Sequence, residues 1–243
     1  MFEYTRPFVP ESSDDNPIQC ALFSPVRFEI YIAGERSIKV WNAKTGKPVR
    51  VLKNIFESDI TCMEFDKSHR KLIAGDHHGR LKVFDLLSGV MTHELDSHDS
   101  HEGGEISFIG YGDDDNTIIT CGWDRVIKIH MDEKVELKDP KENVLRGKKN
   151  CHTKDLICAD YSHNLGLMAT GSRDKTVRVW NYEKVKLEEE LYGHTSEVTI
   201  VKFLKPFPLL LTTDDSGQLY LWLTKPHAKA KSCLVSWRNM FTL

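Results

Sequence analysis

The residues that could do chemistry are histidines, acids and cysteines in short clusters. His93, His98 and His101, with Asp96 and Asp99, fall within nine residues, a density that could hold zinc or another metal ion. The segment also carries Gly103-Gly104 and reads as a polar loop, and a loop does not preorganise three ligands, so a solvated connection without metal is expected. His77-His78 falls in a turn and takes the same reading. Cys151 beside His152 has the composition of a thiol–imidazole pair. Asp113-Asp114-Asp115 shares only its charge with a calcium loop, since the spaced oxygen ligands and closing Glu are missing. A nucleophile elbow Gly-x-Ser-x-Gly, a phosphate-cradling glycine loop and a Cys-x-x-Cys pair are all absent from the sequence. Neither catalysis, a cofactor nor a small-molecule substrate is expected.

The elements that would position these residues are short strands. Met168–Asn181 has two apolar runs joined by the turn Gly171-Ser172-Arg173-Asp174-Lys175, and Thr176–Trp180 alternates with the period of a strand. The pattern of a strand closed by a ring recurs at Ile38–Trp41, Leu81–Phe84, Ile127–His130, Val177–Trp180 and Leu219–Trp222. The rings are separated by 43, 46, 50 and 42 residues. A repeat of about 40–45 residues with four strands per unit is the signature of propeller blades. The fold class is therefore all-β: a propeller of about five four-stranded blades.

A second anchor lies upstream. His194 precedes Trp222 by 28 residues, and His152 precedes Trp180 by 28. Asp174 stands six before Trp180 and Asp124 six before His130. With Gly193-His194 and the endings Trp41-Asn42 and Trp180-Asn181, these residues make the chain resemble the WD40 family over residues 16–235. The resemblance implies a hydrogen-bonded network in each blade. In the fourth unit it joins His152, Asp174, Trp180 and either Thr170 or Ser172. His194 and Trp222 match it in the fifth unit, Asp124 in the third and Trp41 in the first. Such a network does structural work, because a Trp N–H buried in a sheet needs an acceptor. The other units depart from it: Phe84 and His130 replace the Trp, and His78, Glu35 and Ser216 stand where the turn Asp is expected.

The resemblance also places the residue before the turn Asp on one loop face near the axis. Those positions are Gly34, His77, Trp123, Arg173 and Asp215. A Trp and an Arg on one face are common interface anchors, so Trp123, Arg173, His77 and Asp215 are candidate contacts for protein partners in a multi-subunit complex. Gly122–Met131 is similar to segments of large ciliary WD-repeat proteins, which implies an axonemal scaffold. A substrate receptor of a ubiquitin ligase is a further reading, but such receptors often carry Trp-Asp-x-Arg, and here Trp180-Asn181-Tyr182-Glu183 lacks the Arg.

A net charge of −3 gives no case for nucleic acid or an anionic membrane. No run of 18 apolar residues and no basic-then-apolar leader is visible, which predicts a cytoplasmic protein, in a cilium or axoneme if the ciliary similarity holds. Cys20, Cys62 and Cys158 recur at one place in three units, as small buried thiols of an inner strand would. The expected organisation is an arm over residues 1–15, blades over about 16–55, 56–97, 98–150, 151–193 and 194–237, and a tail over 238–243. Cys233–Trp237 reads either as the outer strand of the fifth blade or as the first strand of a sixth. Seven blades would need roughly 300 residues, so either the chain is a fragment of a longer protein or an open array is completed by another chain or segment.

Overall fold

The computed structural model describes residues 17–98, 104–112, 117–132, 144–148, 150–224 and 232–237. The arm, the tail, Asp99, His101 and Asp113–Asp115 lie outside them. Five antiparallel four-stranded sheets follow one another along the chain. The first comprises β1 (Cys20–Ser24), β2 (Glu29–Gly34), β3 (Ser37–Asn42) and β4 (Pro48–Leu52). The second comprises β5 (Ile60–Phe65), β6 (Lys71–Asp76), β7 (Leu81–Asp85) and β8 (Met91–Leu95). The third has β9 (Ile106–Tyr111), β10 (Thr117–Gly122), β11 (Ile127–Met131) and β12 (Val144–Lys148). The fourth has β13 (Leu156–Ser162), β14 (Leu167–Ser172), β15 (Val177–Asn181) and β16 (Lys186–Leu191). The fifth has β17 (Val198–Phe203), β18 (Leu209–Asp214), β19 (Leu219–Leu223) and β20 (Ser232–Trp237). β20 pairs with β19, so Cys233–Trp237 belongs to the outer strand of the fifth sheet and not to a sixth. Among the described residues the only helical element is a 3-10 turn at His163–Leu165, and no helix is long and apolar enough to cross a membrane.

Alternation along each strand gives every sheet two faces, and the cores lie between consecutive sheets. Tyr31, Ala33, Ile38 and Val40 of the first sheet pack on Ile60, Met63, Phe65 and Leu72 of the second. Ile73, Leu81 and Val83 then meet Ile106, Ile109 and Ile118 of the third. Ile119, Ile127 and Ile129 meet Leu156, Met168 and Trp180 of the fourth. Leu167, Ala169, Val177 and Val179 meet Val201, Phe203, Leu210 and Trp222 of the fifth. Three of the rings used above as sequence markers, Phe84, Trp180 and Trp222, thus sit in the seams. In every sheet the pairing of third and fourth strands slips at the ring: Val40/Trp41, Val83/Phe84, Ile129/His130, Val179/Trp180 and Leu221/Trp222. A bulge there re-aims the large side chain.

The first strands line the axis, β1 against β5, β5 against β9, β9 against β13 and β13 against β17. Cys62 and Cys158 occupy these seams. Their thiols donate to the carbonyls of Ile106 and Val198 on the next sheet, at 3.5 and 3.7 Å. Among the described residues the series does not close through an extensive contact of β17 with β1. Ile200, in the place of Cys158, is accordingly 52% exposed.

Candidate functional site

In the fourth sheet a directed chain of hydrogen bonds links ring, hydroxyl, imidazole and carboxylate. The Trp180 Nε1–H donates to Thr170 Oγ1 at 2.9 Å. Thr170 Oγ1 lies 2.8 Å from His152 Nε2, and His152 Nδ1 lies 3.0 Å from an Asp174 oxygen. Asp174 also accepts from Thr153 N and Thr176 Oγ1. Since the indole is a donor only, the hydroxyl passes its own hydrogen to Nε2 and the imidazole donates from Nδ1. Ser172, the alternative hydroxyl, instead donates to the Lys154 carbonyl. Burial lowers the His152 pKa, partly offset by Asp174, which keeps the ring neutral as this chain requires. With both ring nitrogens engaged, His152 has no free nitrogen to activate Cys151.

The fifth sheet repeats the arrangement through Trp222, Thr212 and His194, with distances of 2.9 and 2.7 Å along it. The acid is Asp214, 3.1 Å from His194 Nδ1, eight residues before the ring. Ser216, expected at the acid's place, donates to Asp214 at 2.7 Å instead. Burial pushes the Asp214 carboxyl up, but Ser216, the Gln218 N–H and His194 together outweigh it and hold it at about 2.

In the third sheet the upstream histidine is His98, which is only 2% exposed, so the reading of it as part of a solvated loop is overturned. Its Nδ1 is 2.8 Å from Asp124 and its Nε2 is 2.9 Å from Thr120 Oγ1. The same hydroxyl is 2.9 Å from His130 Nε2, so His130 supplies the N–H that Trp supplies elsewhere. Burial, with the charges of His98 and Lys128, pushes His130 down to about 3. The second sheet has dropped the polar chain as a set: Phe56, Ala74 and Phe84 hold the three places and are packed together. Its turn acid is Asp76, which accepts from Ser58 at 2.6 Å and from Arg80 N at 2.7 Å, while His78 is exposed. In the first sheet Trp41 is buried, Ile32 takes the hydroxyl's register, and Glu35 is exposed with its carbonyl accepting from Ile60 N.

The loop face gathers three of the four candidate contacts into a row. Trp123 meets the His77 ring edge-on at 6.1 Å between centroids, and the Arg173 guanidinium lies 4.5 Å over the indole. Asp215 stands one sheet further on. A feature missed in the sequence holds the row. The backbone N–H groups of His77, Trp123, Arg173 and Asp215 donate to the carbonyls of Asp59, Glu105, Asp155 and Glu197. Each acid directly precedes a first strand, a recurrence visible only once those strands are aligned on their starts. The side chains of three of these acids also take partners. His77 Nδ1 lies 2.6 Å from Glu105, and Arg173 lies 2.9 Å from Asp155 and 3.5 Å from Glu197. No cluster of three or more metal-ligating side chains occurs among the described residues. The buried thiols are poor nucleophiles, since burial pushes Cys20 and Cys158 up to about 12 and Cys62 well above its ordinary value.

Comparison with known proteins agrees with this geometry. The model of the WD domain, G-beta repeat matches residues 46–85, 89–130, 144–181 and 185–222. Each match begins in the outer strand region of one sheet and ends at the third strand of the next. The chain is 24% identical over 228 residues to cilia- and flagella-associated protein 337 B of Tetrahymena thermophila, covering 90% of this chain and 17% of that protein. It is 27% identical over 175 residues to human WD repeat-containing protein 3, covering 71% of this chain and 18% of that one. The chain thus spans less than a fifth of either relative. The solved structure of U3-55K superposes with a TM-score of 0.76 at 19% identity, over 93% of this chain and 66% of that one.

Proposed function

The chain belongs to the WD40 family of WD domain, G-beta repeats, and from that premise we propose that it is a non-catalytic scaffold holding other proteins of a multi-subunit complex against its loop face. The row His77–Trp123–Arg173 carries this reading. It presents an aromatic ring and a guanidinium side by side, on turns fixed by backbone hydrogen bonds to three consecutive sheets. The test is affinity purification of the tagged chain beside Trp123→Glu, both checked for the same melting temperature. Proteins that co-purify with the parent should be lost from the variant. An unchanged set would place binding elsewhere, and turnover dependent on the row would refute a scaffold.

The finer reading is a structural component of a ciliary or axonemal assembly within the cytoplasm. The similarity of nearly the whole chain to a cilia- and flagella-associated protein supports it. A tagged chain expressed in ciliated cells should remain with detergent-extracted axonemes. Release with the soluble fraction would count against it.

A further inference from the structure

Beside the row opens a cavity of about 460 Å³, walled by Trp123, Arg125, Lys154 and Arg173 together with the acids Asp155 and Glu197. That volume suits a side chain or two of a bound peptide. Its charges are not evenly used. Both acids face the same cation, Arg173, at 2.9 and 3.5 Å, and the indole covers a third side of it at 4.5 Å. Thr153 is already committed, its N–H and hydroxyl both donating to Asp174. Lys154 is exposed and its ammonium has no anion partner among the described residues. The lining counts three cations, Arg125, Lys154 and Arg173, against the two carboxylates Asp155 and Glu197, a net charge of +1, and the guanidinium is held still before a ligand arrives.

We propose that this cavity receives the carboxylate of an Asp or Glu in an acidic peptide segment of a partner, seated between Lys154 and Arg173 with the neighbouring residue against Trp123. This rests on the reading of the loop face as the interaction face. The probes are fluorescent degenerate nonapeptide pools with the central residue fixed as Asp or Glu, as Asn or Gln, or as phosphoserine, applied to the immobilised full chain. The acidic pools should be retained at least tenfold over the amide pools, with retention falling as salt rises. Lys154→Glu should lose that retention tenfold, while Lys186→Glu, the same charge change on an outer strand, should keep it. Equal retention of acidic and amide pools, or an unchanged Lys154→Glu, would overturn the proposal. So would retention of the phosphoserine pool alone, which would assign the cavity to phosphate. If the pools fail while Trp123→Glu still loses the co-purifying proteins, the interaction face stands and its acidic ligand does not.

Discussion

Thr170 shows how much one hydroxyl can organise. It is fully buried, accepts from Trp180 and serves His152, so its loss leaves two buried polar groups without partners. Thr170→Val keeps the shape and should cost about 2–4 kcal/mol, read from urea unfolding. The same residues set a pH dependence. His130 titrates at 6.5 when free and about 3 in the fold, so between those values the unfolded chain binds more protons. Stability is therefore full above about pH 6.5 and falls as the pH drops below it, by up to about 1.4 kcal/mol per unit. His152 and His194 are also lowered by burial and act in the same direction. Unfolding at pH 7, 5.5 and 4.5 should show this slope, and His130→Gln, which keeps an N–H donor and cannot titrate, should flatten it. The Trp180 network was legible in the sequence because ring, hydroxyl, acid and histidine kept their spacing. His98 was not, because it stands 32 residues before its ring instead of 28. The role of Asp214 was hidden because an acid eight residues before the ring can reach the imidazole as well as one six before it.

At the scale of strands and sheets, the seams tolerate little. Gly171 faces the fifth sheet so closely that a Cβ would lie 2.6 Å from Val198 and 2.7 Å from the Cys158 sulfur. Gly75, at the matching place, would put one 2.8 Å from Ile106. Gly171→Val should therefore part the fourth and fifth sheets and cost about 3 kcal/mol or more, against little change for a substitution at the exposed Lys186 of β16. The thiols beneath these seams give an independent reading. Cys62 and Cys158 should resist alkylation in the native chain and react in urea, followed peptide by peptide in a mass spectrometer. Labelling of native Cys158 at the unfolded rate would mean that the seam opens. Most strands were legible because apolar residues alternate along them. β12 was not, since Val144–Lys148 lies in a polar stretch whose pairing with β11 is decided by the sheet and not by its own pattern.

Across the molecule, each sheet after the first rests on the one before it, and among the described residues no further sheet covers the outer face of the last. Leu209, Leu211, Leu219 and Leu221 are partly exposed where their counterparts Leu167, Ala169, Val177 and Val179 are buried. The purified chain should associate as its concentration rises, seen by sedimentation velocity. Leu211→Lys with Leu221→Lys should abolish that without lowering the melting temperature, and association unchanged by the pair would place the contact elsewhere. The sequence marked five units and left their closure open, because the repeat describes how a blade is built and carries no record of where the series turns back on itself.

The offset between repeat and sheet bears on how the chain could be divided. A cut within residues 182–184, at the junction between two family matches, would leave β13–β15 on one piece and their fourth strand, β16, on the other. Neither piece could finish that sheet unaided, and each would hold the strand the other lacks, so the pair should behave as a complementing split protein. A cut within residues 195–196 would leave whole sheets on both sides, and the halves would be drawn together without a shared strand ladder, by side-chain packing and by the bonds of His194 to Thr212 and Asp214.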